Sequence, residues 1–220
     1  MKTFLFFGYR EWAMNIFKHI SSVAGDNWVL VSDKRSCTKD FIDKLNPSIV
    51  FFYGWSWLVS KDITDNYFCV CLHPSPLPKY RGGSPIQNQV LAGETESAVT
   101  LFKMGDGIDD GNILYQDKLW LWCDLSEILK DIEEVGIRLT WQLLQDYEWD
   151  YIKGTPQNEA EATYYKRRKP EDSEINPSDF KDYDAKYFYD LVRVSQPPYP
   201  EAFVECRDGK LILEKVRYEI

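Results

Sequence analysis

An α/β fold built on a doubly wound, mostly parallel sheet is what the sequence predicts, and three observations predict it. Apolar runs bounded by turn residues recur at residues 3–8, 28–32, 48–53 (SIVFFY) and 68–73 (FCVCLH). Segments with helical spacing of apolar residues lie between them, and alternation of strand with helix is the pattern of a parallel sheet. The runs at 48–53 and 68–73 are apolar almost throughout, as strands buried on both faces must be.

Residues 3–8 end in Gly8, and residues 11–20 set Trp12, Ile16 and Ile20 at helical spacing, so the chain begins strand, turn, helix. The first run stops at Gly8 with charge immediately after it, too short for a signal sequence or a membrane span. Residues 39–45 form a short helix before the third strand. Ligands of such sheets bind beyond the carboxyl ends of the strands, where Gly8, residues 53–57 and His73 fall. After His73 the stretch PSPLPKYRGG holds too much proline and glycine for regular structure. Ser84 is then placed as N-cap and Pro85 at the first helical position of a helix running to about Ala92. Residues 98–104 and 113–122 can pair antiparallel at the sheet edge, joined by the loop GDGIDDGN. Asp124 and Glu127 make a capping box for a long helix. Its Leu125, Ile128, Leu129, Ile132, Val135, Leu139 and Leu143 mark the apolar face that covers the sheet.

Residues 1–150 thus form the main domain, and residues 151–220 a C-terminal extension, a small helix plus β-hairpin appendage. The extension opens with the polar stretch YYKRRKPEDSE at 164–174, continues as a helix over 184–194, and ends as a hairpin turned at Asp208-Gly209. The unpaired edge of that hairpin leads us to expect a homodimer.

Forty-four per cent apolar residues in 220 can bury one sizeable core. A formal charge of −9 repels nucleic acid at long range, so no RNA or DNA partner is expected, and an anionic small molecule would need a local basic cluster. Cysteines at 37, 69, 71, 123 and 206 lack metal-ligand spacing and are odd in number, which fits reduced thiols and a cytoplasmic location away from membranes.

Of the two histidines, His19 lies inside the first helix and reads as structural, while His73 ends a strand before an irregular loop. Spacing alone fits a hydrogen-bonded structural histidine as well as a catalytic one. The loop at 105–112, taken alone, is an exposed turn. Asp106, Asp109 and Asp110 do not follow EF-hand spacing and no second ligand set follows, so no metal is expected.

From His73 to Gln116 the chain closely resembles the methionyl-tRNA formyltransferase family, and in particular its sugar nucleotide N-formyltransferase branch. HPSPLP, RGGSPIQ, AGE, AVTLF and GIDDG occur in the family's order without a gap, and FYGW at 52–55, ATYYKRR and RVSQPPYPEAF extend the resemblance. It implies a Rossmann-like catalytic domain with N10-formyltetrahydrofolate as formyl donor. By motif position Tyr53, Gly54, Trp55 and Leu58 would line the pterin pocket from one side, with Met104, Asp106, Gly107 and Asp109 opposite. Plain core packing remains the reading for Phe51 and Trp57. His73 would take the proton of an attacking amine, and Asp109 would fix the imidazole tautomer and stabilise the cation. Where the family carries Asn-x-His, this chain has Cys71, which faces the same way as His73 along a strand. A thiol donates more weakly than an amide, so Cys71 is read as a simple donor or spacer, with a covalent nucleophile as the alternative.

The acceptor implied is the amine of a nucleotide-linked 4-amino-4,6-dideoxy sugar, best dTDP-4-amino-4,6-dideoxyglucose, a route to formylated O-antigen sugars in lipopolysaccharide biosynthesis. The acidic charge and the short stretch beyond the long helix weigh against tRNA. Lys79 and Arg81 flank the active loop, and Lys166, Arg167 and Arg168 form the dense basic cluster, all suited to a diphosphate. Alone, that cluster is a solvated turn. Tyr165 and Tyr199 either stack on the base or pack in the core. The alternative functions are a hydrolase of the formyl donor and a catalytically silent folate or nucleotide binder.

Overall fold

The computed structural model describes residues 1–148 and 151–219, so the domain boundary expected at residue 150 lies outside the described residues. The first half alternates strand and helix: β1 (Thr3–Phe7), α1 (Glu11–Val23), β2 (Asn27–Val31), α2 (Lys39–Leu45), β3 (Ile49–Tyr53), α3 (Lys61–Thr64) and β4 (Cys69–His73). A two-residue strand β5 (Arg81–Gly82) and the helix α4 (Pro85–Leu91) lead into β6 (Glu96–Lys103), β7 (Ile113–Trp120) and the long helix α5 (Leu125–Glu148). Beyond it come β8 (Tyr164–Tyr165), α6 (Ala185–Val194) and the hairpin β9 (Phe203–Cys206) and β10 (Gly209–Ile212).

The main sheet has the order β2-β1-β3-β4-β6-β7. Its first four strands are parallel, and β6 and β7 add the expected antiparallel edge. Side-chain alternation divides each buried strand between two layers. Phe4, Phe6, Phe51 and Tyr53 face the layer holding α1 and α5, whereas Leu5, Phe7, Phe52 and Cys69 face the layer holding α2 and α3. Because Phe52 is in register with Cys71 on the neighbouring strand, Cys69, Cys71 and His73 all project to this second side.

The predicted apolar face of α5 is buried from Leu125 to Leu143, apart from the partly exposed Leu129. Of the expected capping box only one half forms: the Asp124 N–H donates to the Glu127 carboxylate at 3.2 Å, while the Glu127 N–H bonds the Asp124 backbone carbonyl at 3.0 Å instead of its side chain. Ser84 departs from expectation. It flanks α4 in the left-handed region (φ 50°), and its hydroxyl does not cap the helix but accepts the N–H of Arg168 at 3.0 Å. The tail is thereby tied to the start of α4. Among the described residues no helix is long and apolar enough to cross a membrane.

Gly136 marks the close approach of α5 to α1 and the sheet, since a Cβ there would lie 2.6 Å from Ile16 Cδ1 and 2.9 Å from Leu72 Cδ1. Gly136→Val is therefore expected to lower the unfolding free energy by about 1–3 kcal/mol through overpacking. Urea denaturation measures this, and an unchanged or raised stability would contradict so tight a crossing.

Candidate active site

The turn that follows β4 folds back over its own strand end, so that the Tyr80 carbonyl meets His73 Nε2 at 2.8 Å. A carbonyl only accepts, so Nε2 carries the ring proton and Nδ1 is left with its lone pair. Nδ1 faces Asp109 Oδ2 at 3.5 Å. The tautomer is therefore set by the Tyr80 backbone rather than by Asp109, whose carboxylate sits where it can stabilise a proton arriving at Nδ1.

Asp109 reaches this position because the loop between β6 and β7 runs back along the second side of the sheet instead of standing clear of it. Met104 N–H is bonded to the Cys69 carbonyl at the start of β4, whereas Asp109 lies against His73 at its end. The Asp109 backbone is left-handed (φ 52°), and its Oδ2 accepts the Gly82 N–H at 2.8 Å. Gly82 (φ 98°) and Gly83 allow β5 to lie against β8, for a Cβ on Gly83 would stand 2.3 Å from the Arg167 backbone. That contact draws Arg167 and Arg168 to the site.

A cleft of about 340 Å³ opens over the strand ends and contains Cys71, His73 and Asp109. Gly54, Trp55, Arg167, Arg168 and Tyr199, all singled out from the sequence, line it too. Sequence reasoning missed Arg10 and Lys169, which also line it. The Arg10 guanidinium lies between the rings of Tyr9 and Tyr199, 5.0 and 4.9 Å from their centroids, and donates to the Pro198 carbonyl at 3.3 Å. Its position just past the first strand was the available signal. Two indole donors, Trp12 Nε1 and Trp55 Nε1, and one acceptor, Gln87 Oε1, are buried at the cleft without a protein partner.

Other predicted site residues lie elsewhere. Tyr53 is fully buried on the opposite side of the sheet by strand alternation, its hydroxyl bonded to Thr140 at 3.0 Å. Burial drives its phenol pKa upward, although the Thr140 hydrogen bond acts the other way. Arg81 is also fully buried, and its guanidinium is already occupied by Gln157, Glu159 and Tyr164, so it cannot meet a diphosphate. Lys79 and Lys166 are exposed outside the cleft, and Tyr165 stacks on Tyr80 with centroids 5.0 Å apart. Leu58 and Gly107 are exposed, Met104 packs among the core residues of the α2 and α3 layer, and Asp106 pairs with Lys61 at the start of α3 at 2.7 Å. Phe51 is core, but Trp57 is 39 % exposed and packs on Tyr9 and Trp55. His19 lies on the exposed side of α1. Among the described residues no group of three or more His, Cys, Asp or Glu is set to hold a metal.

Removal from water, then the Asp109 carboxylate, then Cys69 push the Cys71 thiol pKa well above its ordinary value. A raised pKa leaves less thiolate at any given pH, so at pH 8 iodoacetamide is expected to modify the exposed Cys206 first and Cys71 late. Peptide mass spectrometry over time measures this; Cys71 labelling as fast as Cys206 would indicate an activated nucleophile.

Residues 19–131, just over half of the chain, match the family described as formyl transferase. The chain is 28% identical to the methionyl-tRNA formyltransferase of Ehrlichia ruminantium (strain Gardel) across 84% of its own length and 59% of that protein. It thus spans well under two thirds of that curated relative. The solved methionyl-tRNA formyltransferase from Clostridium thermocellum superposes with a TM-score of 0.87 at 27% identity, covering 100% of this chain and 94% of that one. A formyltransferase from Anoxybacillus kamchatkensis, solved with UDP-4,6-dideoxy-4-formamido-L-AltNAc and tetrahydrofolate, shares the fold. There the TM-score is 0.61 at 21% identity, over 74% of this chain and 85% of that one.

Proposed function

Since the chain belongs to the formyl transferase family, we propose that it transfers a formyl group from N10-formyltetrahydrofolate to the amine of a nucleotide-linked 4-amino-4,6-dideoxy sugar, with dTDP-4-amino-4,6-dideoxyglucose the first choice. The observation that carries this reading is the meeting of His73 Nδ1 and Asp109 in a cleft walled by Arg10, Arg167, Arg168 and Lys169. A basic wall beside a proton acceptor suits an amine that carries a diphosphate.

The donor supplies an electrophilic formyl carbon and an amine leaving group. His73 Nδ1 takes the proton that the acceptor amine sheds as its nitrogen bonds to that carbon, and Asp109 stabilises the imidazolium. Nδ1 then returns the proton to the departing nitrogen, so the imidazole ends each cycle neutral. The Cys71 thiol, beside His73 on the same side of the strand and held protonated by its raised pKa, would be a weak donor to the formyl oxygen on turning from the Leu72 carbonyl, to which it donates at 3.8 Å. The aromatic group of Tyr9, Trp55 and Trp57 suits a flat pterin. We also read the exposed Leu211 and Ile212 on β10 as the contact of a homodimer, which a single monomeric species in sedimentation would remove.

A second reading takes methionyl-tRNA as acceptor, favoured by the likeness to methionyl-tRNA formyltransferases and opposed by the −9 charge. Purified protein should be given N10-formyltetrahydrofolate with dTDP-, UDP- and GDP-linked amino sugars, with methionyl-tRNA, or with no acceptor. The expected product is a dTDP-sugar heavier by one formyl group, with His73→Ala and Asp109→Asn each losing about 100-fold or more in kcat. Formylation of methionyl-tRNA alone would move the assignment to the second reading. Formate release at full rate without an amine would mark a hydrolase, and no turnover in any arm would mark a silent binder.

A further inference from the structure

We propose that Gln157 is a positioning residue for Asp109, anchored from behind by the buried guanidinium of Arg81; this rests on the reading that Asp109 works with His73 in formyl transfer. Asp109 holds a left-handed backbone, which aspartate tolerates better than most residues but still at a cost that surrounding contacts must meet. Its own loop supplies little of that enforcement: Gly105, Asp106, Gly107 and Ile108 are all exposed, and the Gly107 N–H bond to Asp110 Oδ2 at 3.0 Å bypasses Asp109.

The restraint comes from the segment beyond α5. Gln157 Nε2 donates to the carbonyls of Asp109 at 2.8 Å and Gly111 at 2.7 Å. Gln157 Oε1 accepts from Arg81 Nε at 3.1 Å and Nη2 at 2.8 Å. Guanidinium can only donate and the two carbonyls can only accept, so the amide has one satisfied orientation and uses both its ends. Arg81 in turn is locked by a bidentate pair with Glu159, at 2.7 and 3.0 Å.

The connection closes on itself. Gly82, next in sequence to Arg81, donates its N–H to the Asp109 carboxylate at 2.8 Å. Arg81 and Gly82 therefore hold Asp109 twice, the carboxylate directly and the backbone through Gln157. Glutamate in this place would keep an acceptor for Arg81 but lose both donors, and asparagine would fall one methylene short of spanning the gap.

The test compares wild type, Gln157→Glu and Gln157→Met in steady-state formyl transfer, thermal unfolding and amide exchange at Gly82. Gln157→Glu is expected to lower kcat by about tenfold or more, as two lost hydrogen bonds would. KM for both substrates should move less than about twofold, with the melting temperature held by the retained Arg81 contact. The Gly82 amide should exchange faster in both variants, as the Asp109 carboxylate leaves it. Wild-type kcat with unchanged Gly82 exchange in Gln157→Glu would overturn the proposal. So would a loss of kcat matched by a comparable loss of stability and a rise in KM, the mark of a merely structural residue. Should the wild type formylate no amine, the functional reading falls by itself, and Gly82 exchange still decides whether Gln157 holds Asp109.

Discussion

The hydrogen bond between His73 Nε2 and the Tyr80 carbonyl determines which imidazole nitrogen is basic, and the rest of the site is arranged around that choice. Tyr80 is itself constrained. It holds a left-handed backbone (φ 60°), its N–H donates to Thr163 Oγ1 at 2.8 Å, its hydroxyl donates to Glu94, and its ring stacks on Tyr165. Three of these restraints involve residues other than those of the turn, and two come from the segment beyond α5. Residues 157–168 therefore act on both members of the His73–Asp109 pair, on His73 through Tyr80 and on Asp109 through Gln157.

Charge is organised on two length scales. A net −9 sets the potential felt beyond about 10 Å only weakly at physiological salt, because screening removes it there, but it still opposes a long polyanion lying across the surface. Inside the cleft the local set decides. Arg10, Arg167, Arg168 and Lys169 line it against the single carboxylate of Asp109. Arg10 is held between two rings, so part of the ordering cost of binding an anion is already met in the fold. A small, doubly charged ligand would gain from this wall.

Strand and helix positions were legible because they depend on periodicity within a few residues. β3, α2 and the buried face of α5 lie where apolar spacing puts them, and half of the capping box at Asp124 and Glu127 forms. What depends on distant partners was not legible. Tyr53 sits in a motif beside Gly54 and Trp55, yet strand alternation sends it into the opposite layer. Arg81 reads as a free cation beside an active loop, but its partners Gln157 and Glu159 lie in a polar stretch with no pattern to tie them to it. Ser84 has the residue type of an N-cap and instead serves the Arg168 backbone. The pairing of His73 with Asp109 was inferred through family resemblance; no local spacing contains it.

A crystal structure of the protein with tetrahydrofolate and the intact dTDP-linked amino sugar tests the central claim most directly. The account predicts the sugar amine within about 2.6–3.2 Å of His73 Nδ1, with Nε2 still on the Tyr80 carbonyl. It also predicts the diphosphate against Arg10, Arg167 and Arg168. An amine beyond reach of Nδ1, or an imidazole turned so that Nδ1 faces the Tyr80 carbonyl, would contradict it.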